Sequence, residues 1–179
     1  AYARDRQLYA SAVTSTNPPG HGESVRASRS WWDSEASDYH EEHGDFLGAH
    51  SPDGEFIWCP EGLHEGDVAL LGDLAGKRVL EVGCGSAPCS RWLAAHGWRV
   101  QAVDFSEVAI EQARAKDSDE GRSGSVDWVV GDARTWSPAE PVDLVVVGFL
   151  HLDLPELSAV LRDAGTWLRP GGHLVYLGH

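Results

Sequence analysis

Three acidic side chains stand at matching places in the second half of the chain. Glu81 lies in "VLEVGCGSAPCS", Asp104 in "AVDFS" and Asp132 in "VVGDA". Each ends or follows a short β-branched run. In a parallel α/β sheet such positions lie at the carboxyl ends of the strands, where a ligand crevice opens. Glu81 can face a cationic amino group, Asp104 can accept hydrogen bonds from two ribose hydroxyls, and Asp132 can meet an adenine amino group. Three carboxylates at three successive strand ends match a ligand that carries an ammonium, a ribose and an adenine.

The glycine turn narrows the choice. A dinucleotide fingerprint requires G-x-G-x-x-G, whose last glycine allows close helix–strand packing. Gly83 and Gly85 take the first two places, but the third falls on Pro88. An acidic residue at the position of Glu81 would also repel a pyrophosphate. The phosphate-loop pattern G-x-x-x-x-G-K-[ST] is absent.

Other residues could carry chemistry. His151 follows the fourth strand and could act as a general base near neutral pH, against the plainer reading of a hydrogen-bonded loop histidine, which is favoured. Asp153 is a weaker candidate. Trp31, Trp32 and Trp58 precede the sheet, where they could face a cation, although burial as lid anchors is the preferred reading. Trp32, Tyr39 and His43 are expected near the crevice as lid or substrate residues. "HEEH" (residues 40–43) spaces its histidines at i and i+3, whereas the metalloprotease helix needs i and i+4, and the cysteines show no ligand spacing. No metal is expected. Cys84 and Cys89 read as small packing residues rather than nucleophiles.

The elements that must position these residues follow from periodicity. Residues 78–83, 99–104, 125–130 and 142–150 read as strands, the last apolar without alternation, as for a central strand covered on both faces. Residues 88–96 form a helix closed by Gly97, and Ser106 caps a helix running to about Lys116. From Pro155, residues Leu157, Val160, Leu161, Ala164 and Leu168 keep helical spacing. "RPGG" (residues 169–172) then turns the chain into a last strand, "HLVYLG". Strand–helix alternation with short turns implies a mainly parallel, Rossmann-like α/β/α sheet of order 3-2-1-4-5. Residues 1–76 read as an N-terminal helical cap segment, and residues 77–179 as the ligand-binding core.

Composition bounds the partners. With 28 acidic and 14 basic residues the formal net charge is −14, which argues against a nucleic-acid partner and for a small molecule. No apolar run approaches a membrane span, and the first residues show no signal-peptide core. Three cysteines, Cys59, Cys84 and Cys89, leave an odd count, so reduced thiols and a cytoplasmic setting are expected.

As an ordered set, "VLEVGCGSA", "AVDFS", "VVGDA", "VDLVVVGFLHL" and "LRPGGHLVYLGH" resemble the motifs of class I, Rossmann-like methyltransferases dependent on S-adenosylmethionine (SAM). The front half, including "FIWCPEGLHE", is similar to a group of actinobacterial methyltransferases, and the rear half to small tellurite-resistance-type ones. The resemblance implies that Glu81, Gly83, Cys84 and Gly85 hold the methionine moiety. It implies that Asp104 takes the ribose, Phe105 lies along the adenine, and Asp132 with Ala133 addresses the adenine edge. Phe149 and Leu150 would lie near the methyl donor. The expected function is methyl transfer from SAM to a small-molecule acceptor, yielding S-adenosylhomocysteine (SAH). The alternatives are a non-catalytic SAM-binding module and, less favoured, a nicotinamide-dependent oxidoreductase.

Such enzymes usually add two strands after the fifth. Here the fifth strand ends the chain, so an apolar sheet edge is expected, covered by missing sequence or paired with a second copy.

Overall fold

The structure is a computed structural model, and it describes residues 51–59, 62–73, 76–117 and 122–178. The sequence expectations for Trp31, Trp32, Tyr39, His43, the "HEEH" run and the cap helices before residue 51 lie outside the described residues.

A short helix α1 (Glu65–Val68) precedes five strands and three further helices. These are β1 (Arg78–Val82), α2 (Pro88–Ala95), β2 (Arg99–Asp104), α3 (Glu107–Lys116), β3 (Ser125–Val130), β4 (Val142–Gly148), α4 (Leu154–Thr166) and β5 (Leu168–Leu177). The sheet order is β3-β2-β1-β4-β5, every neighbouring pair parallel, as expected from the alternation of strands and helices.

Alternating side chains divide the core between the two faces of the sheet. Val79, Val100, Leu144 and Val146 face α2, where Leu93, Ala94 and Trp98 meet them together with Phe56 and Trp58. Leu80, Val82, Val103, Val145 and Val147 face the other way, against Ala164 and Trp167 at the end of α4. The unbroken apolar run of β4 thus serves a strand buried on both sides. On the α2 side, α3 adds Ile110 and Ala113 over Ala102 and Cys84.

The helix ends obey their sequence signals. Pro88 opens α2, whose first position needs no amide donor. The Ser106 hydroxyl accepts from the Ala109 N–H at 3.2 Å and caps α3. Asp153 does the same for α4, accepting from the Glu156 N–H at 2.8 Å, so its carboxylate is a helix cap.

Two expectations need adjustment. β4 stops at Gly148, because Phe149 turns into the left-handed region at φ 49° and leaves the sheet. The "RPGG" segment is not a turn before β5 but a bulge within it. Val142 pairs with Leu168 and Leu144 with His173, so two steps along β4 match five along β5. Gly171, at φ 82°, supplies the conformation this requires. β5 is the edge of the sheet, and Leu174 and Tyr176 on it are exposed. No helix among the described residues is long and apolar enough to cross a membrane.

The segment before the sheet is bound tightly to it. An antiparallel bridge joins Ile57 to His64, and Trp58 is buried with its indole N–H donating to Glu65 Oε2 at 2.9 Å. Trp58 therefore has the anchoring role preferred for it. Arg91 on α2 donates to the Ser51 and Pro52 carbonyls, both at 3.1 Å. Gly54, at φ 72°, lies so close to α2 that a Cβ would sit 2.1 Å from the Pro88 carbonyl oxygen. Gly54→Ala combines a left-handed φ with that collision and is expected to cost about 2 kcal/mol or more. A urea midpoint unchanged by the substitution would show that the segment does not dock in this way.

Candidate functional site

At the carboxyl ends of the strands one cleft gathers residues from every loop on that side. Its wall includes Glu81, Gly83, Cys84, Gly85, Asp104, Phe105, Asp132, Ala133, Phe149, Leu150 and His151. The structure thus brings together every cofactor-side residue expected from the sequence, with His151 beside them.

The glycine turn is built for close approach. Gly83 and Cys84 donate their backbone N–H groups to the Val103 carbonyl at 2.8 and 3.1 Å, so the turn lies against the end of β2. Gly83 sits at φ 76°, and a Cβ there would meet Gly148 O and Leu150 Cδ1, both at 3.4 Å. A side chain would narrow the cleft where the two loops converge. Cys84 is buried beneath the turn, and burial pushes its thiol well above the ordinary range. The same holds for Cys89. Neither thiol is poised as a nucleophile.

Two buried carboxylates flank this turn. Asp104 accepts from the Gly85 N–H through Oδ2 at 2.9 Å and from the Ser106 N–H through Oδ1 at 2.8 Å. Glu81, also buried, accepts from the Ser90 hydroxyl on α2. Desolvation is the main cause that raises the Glu81 carboxyl to a pKa of about 7, opposed by its hydrogen bonds with Ser90 and aided by the charge of Asp104. Glu81 thus presents a buried carboxyl to the cleft, with Ser90 as its hydrogen-bond partner.

The third carboxylate is held differently. Asp132 follows β3 in a tight turn, its carbonyl accepting from the Thr135 and Trp136 N–H groups at 2.9 and 2.8 Å. Its side chain accepts from the Arg134 N–H through Oδ1 at 3.0 Å. Asp132 thus builds the turn and also lines the cleft.

The loop after β4 forms another part of the wall. Phe149 is partly exposed, and its N–H donates to Leu177 O at 2.8 Å. Leu150 packs into the core below. His151 is exposed on the cleft wall.

Sequence reasoning missed part of the wall. Glu55, Phe56 and Ile57 form it from the segment before the sheet, and Gln112 and Arg134 from α3 and the loop after β3. The first three carry no local signal, since only docking of their segment on α2 brings them there. The Gln112 position on the first turns of a helix leaving β2 was available from spacing.

Comparison with known proteins agrees with this geometry. Residues 79–172 match the family described as methyltransferase domain. The chain is 31% identical over 134 residues to a ubiquinone biosynthesis O-methyltransferase of Idiomarina loihiensis, covering 70% of this chain and 53% of that protein. It is 33% identical over 124 residues to a ribosomal RNA small subunit methyltransferase C of Alcanivorax borkumensis, covering 63% and 37%. The chain thus spans about half the length, or less, of these curated relatives. Among solved structures, phosphoethanolamine N-methyltransferase 1 of Haemonchus contortus, in complex with phosphoethanolamine and SAH, superposes with a TM-score of 0.60 at 25% identity, over 81% of this chain and 30% of that one. The motif order, the 3-2-1-4-5 parallel sheet and the match over residues 79–172 agree, and the chain belongs to the methyltransferase domain family, with the fold of class I SAM-dependent methyltransferases.

Proposed function

We propose that this cleft binds SAM and that the protein transfers its methyl group to a small-molecule acceptor. The observation that carries this reading is the convergence of three carboxylates from the ends of β1, β2 and β3 on one cleft beside a turn made of Gly83 and Gly85. When bound, SAM supplies an electrophilic sulfonium methyl for in-line displacement. The chain then has to bind, orient and exclude water. Glu81 meets the α-ammonium, and the backbone of Gly83, Cys84 and Gly85 lines the methionine moiety. Asp104 takes the ribose hydroxyls while continuing to brace the turn. Phe105 lies along the adenine, and Asp132 and Ala133 border its edge. Phe149 and Leu150 close the apolar side near the sulfonium. Positioning carries the rate, and His151 enters as a base only for an acceptor that must lose a proton.

The proteins to which this chain is similar include a ribosomal RNA methyltransferase. The net charge of −14 supports a small acceptor over a polyanion for this chain. A nicotinamide alternative finds no support: Pro88 begins α2 where the third fingerprint glycine would stand, and the Glu81 carboxyl would face a pyrophosphate.

Binding is tested by calorimetric titration with SAM, SAH and NADH. Saturable SAM and SAH binding is expected, weakened about 100-fold in Asp104→Ala through lost charged hydrogen bonds. Failure of folded protein to bind either ligand would sink the reading, and binding of NADH instead would revive the oxidoreductase.

Proton linkage gives a second test. In the unliganded protein the folded-state pKa of Glu81 lies above its unfolded value of 4.5, at about 7. Between those values the folded state binds more protons than the unfolded state, so stability falls as pH rises through this window. The loss is on the order of 3 kcal/mol, and Glu81→Gln is expected to remove it. An ammonium placed beside Glu81 favours the carboxylate, so SAH binding near pH 6.5 should release a proton to solvent. Titrations in buffers of differing ionisation enthalpy would show this release, and its persistence in Glu81→Gln would exclude Glu81 as the source.

A further inference from the structure

Arg134 makes contacts that the turn after β3 does not require. Its Nε donates to Asp132 Oδ1 at 2.8 Å and its Nη2 to Oδ2 at 2.6 Å, a two-pronged pairing of guanidinium with carboxylate. Its Nη1 reaches Glu156 Oε1 at 3.3 Å. The hydrogen bonds to Asp132 are the first cause holding the guanidinium above its usual range. The three side chains are 17%, 21% and 24% exposed, so solvent screens the group only in part. Glu156 stands in the first turn of α4, whose cap Asp153 follows His151 by two residues. One arginine therefore joins the loop after β3, which lines the cleft, to the first turn of α4, which follows the cleft-lining loop after β4.

We propose that Arg134 is a positioning residue for cofactor recognition, clamping the Asp132 carboxylate in one plane at the adenine end and anchoring that end to α4 through Glu156. The inference rests on the reading that the cleft binds SAM. An aspartate on a turn has two side-chain torsions to settle. The guanidinium fork settles both, so that the carboxylate edge meets a donor in a fixed direction. Adenine offers an amino donor at its six position, whereas hypoxanthine offers a carbonyl oxygen that a carboxylate repels. The clamp should therefore act on base discrimination more than on binding of the methionine end.

The test is calorimetry of SAH and of its deaminated analogue, S-inosylhomocysteine, on wild type, Arg134→Ala, Arg134→Lys and Glu156→Gln. Wild type is expected to prefer SAH. Arg134→Ala should weaken SAH roughly tenfold while moving the analogue about twofold or less, so the preference collapses. Arg134→Lys keeps the charge without the fork and should recover affinity more than preference. Equal losses for both ligands, or no change in either, would overturn the clamp while leaving the cofactor assignment standing. Failure of wild type to bind SAH would overturn both. If circular dichroism shows Arg134→Ala to be unfolded, Glu156→Gln decides: a reduced preference supports the clamp and an unaltered one overturns it.

Discussion

The Asp104 carboxylate, buried at the end of β2, accepts one backbone N–H from the glycine turn after β1 and another from the entrance to α3. Its own carbonyl accepts the Gly131 N–H at the end of β3. A single residue thus fixes three loops that would otherwise open separately at the end of a parallel sheet. Parallel strands leave their terminal backbone groups pointing past the last ladder bond, and these must be answered. Here the donors from two loops converge on one carboxylate. The loop positions that shape the cleft follow from that convergence.

Glu81 and Asp104 together explain the electrostatic character of the site. Burial raises the cost of charge on Glu81, and the neighbouring charge of Asp104 adds to it. Asp104 is answered by two backbone N–H groups, whereas Glu81 is answered by Ser90. The asymmetry separates their roles. Glu81 holds its proton up to about pH 7 in the unliganded protein. The sign of this field is one ground for proposing an ammonium-bearing ligand rather than a pyrophosphate.

The segment before the sheet contributes to the site through packing. Phe56 and Trp58 enter the same core cluster as Val79 and Leu93, with ring centroids 4.6 Å apart. Glu65 holds the turn that follows α1, accepting the Leu70 and Leu71 N–H groups at 2.9 and 2.8 Å as well as the Trp58 indole. Arg91 is buried where it meets the residue 51–54 turn, and burial lowers its pKa. This docking puts Glu55, Phe56 and Ile57 on the cleft wall. The described part of the segment that a sequence reading sets apart as a cap, from residue 51 on, is therefore joined to the core by side chains of both.

The sheet order, the central place of β4, the cap at Ser106 and the three carboxylates follow from local information, whereas Asp153, weighed from sequence as a base, proves to be a helix cap. Period, capping chemistry and the position of a residue at a strand end are properties of a few neighbours in sequence, and parallel crossovers leave little choice of order. The bulge in β5 was not legible, because "RPGG" satisfies the rules for a turn, and only the register against β4 reveals that the strand continues on its other side. The contact of Arg134 with Glu156, and the wall built by residues 55–57, depend on elements distant in sequence meeting in space. Sequence by itself determined which groups stand at the strand ends and what chemistry they suit. Tertiary structure decided which donors answer them, since a buried carboxylate's charge and direction are set by whatever packing brings within hydrogen-bond reach.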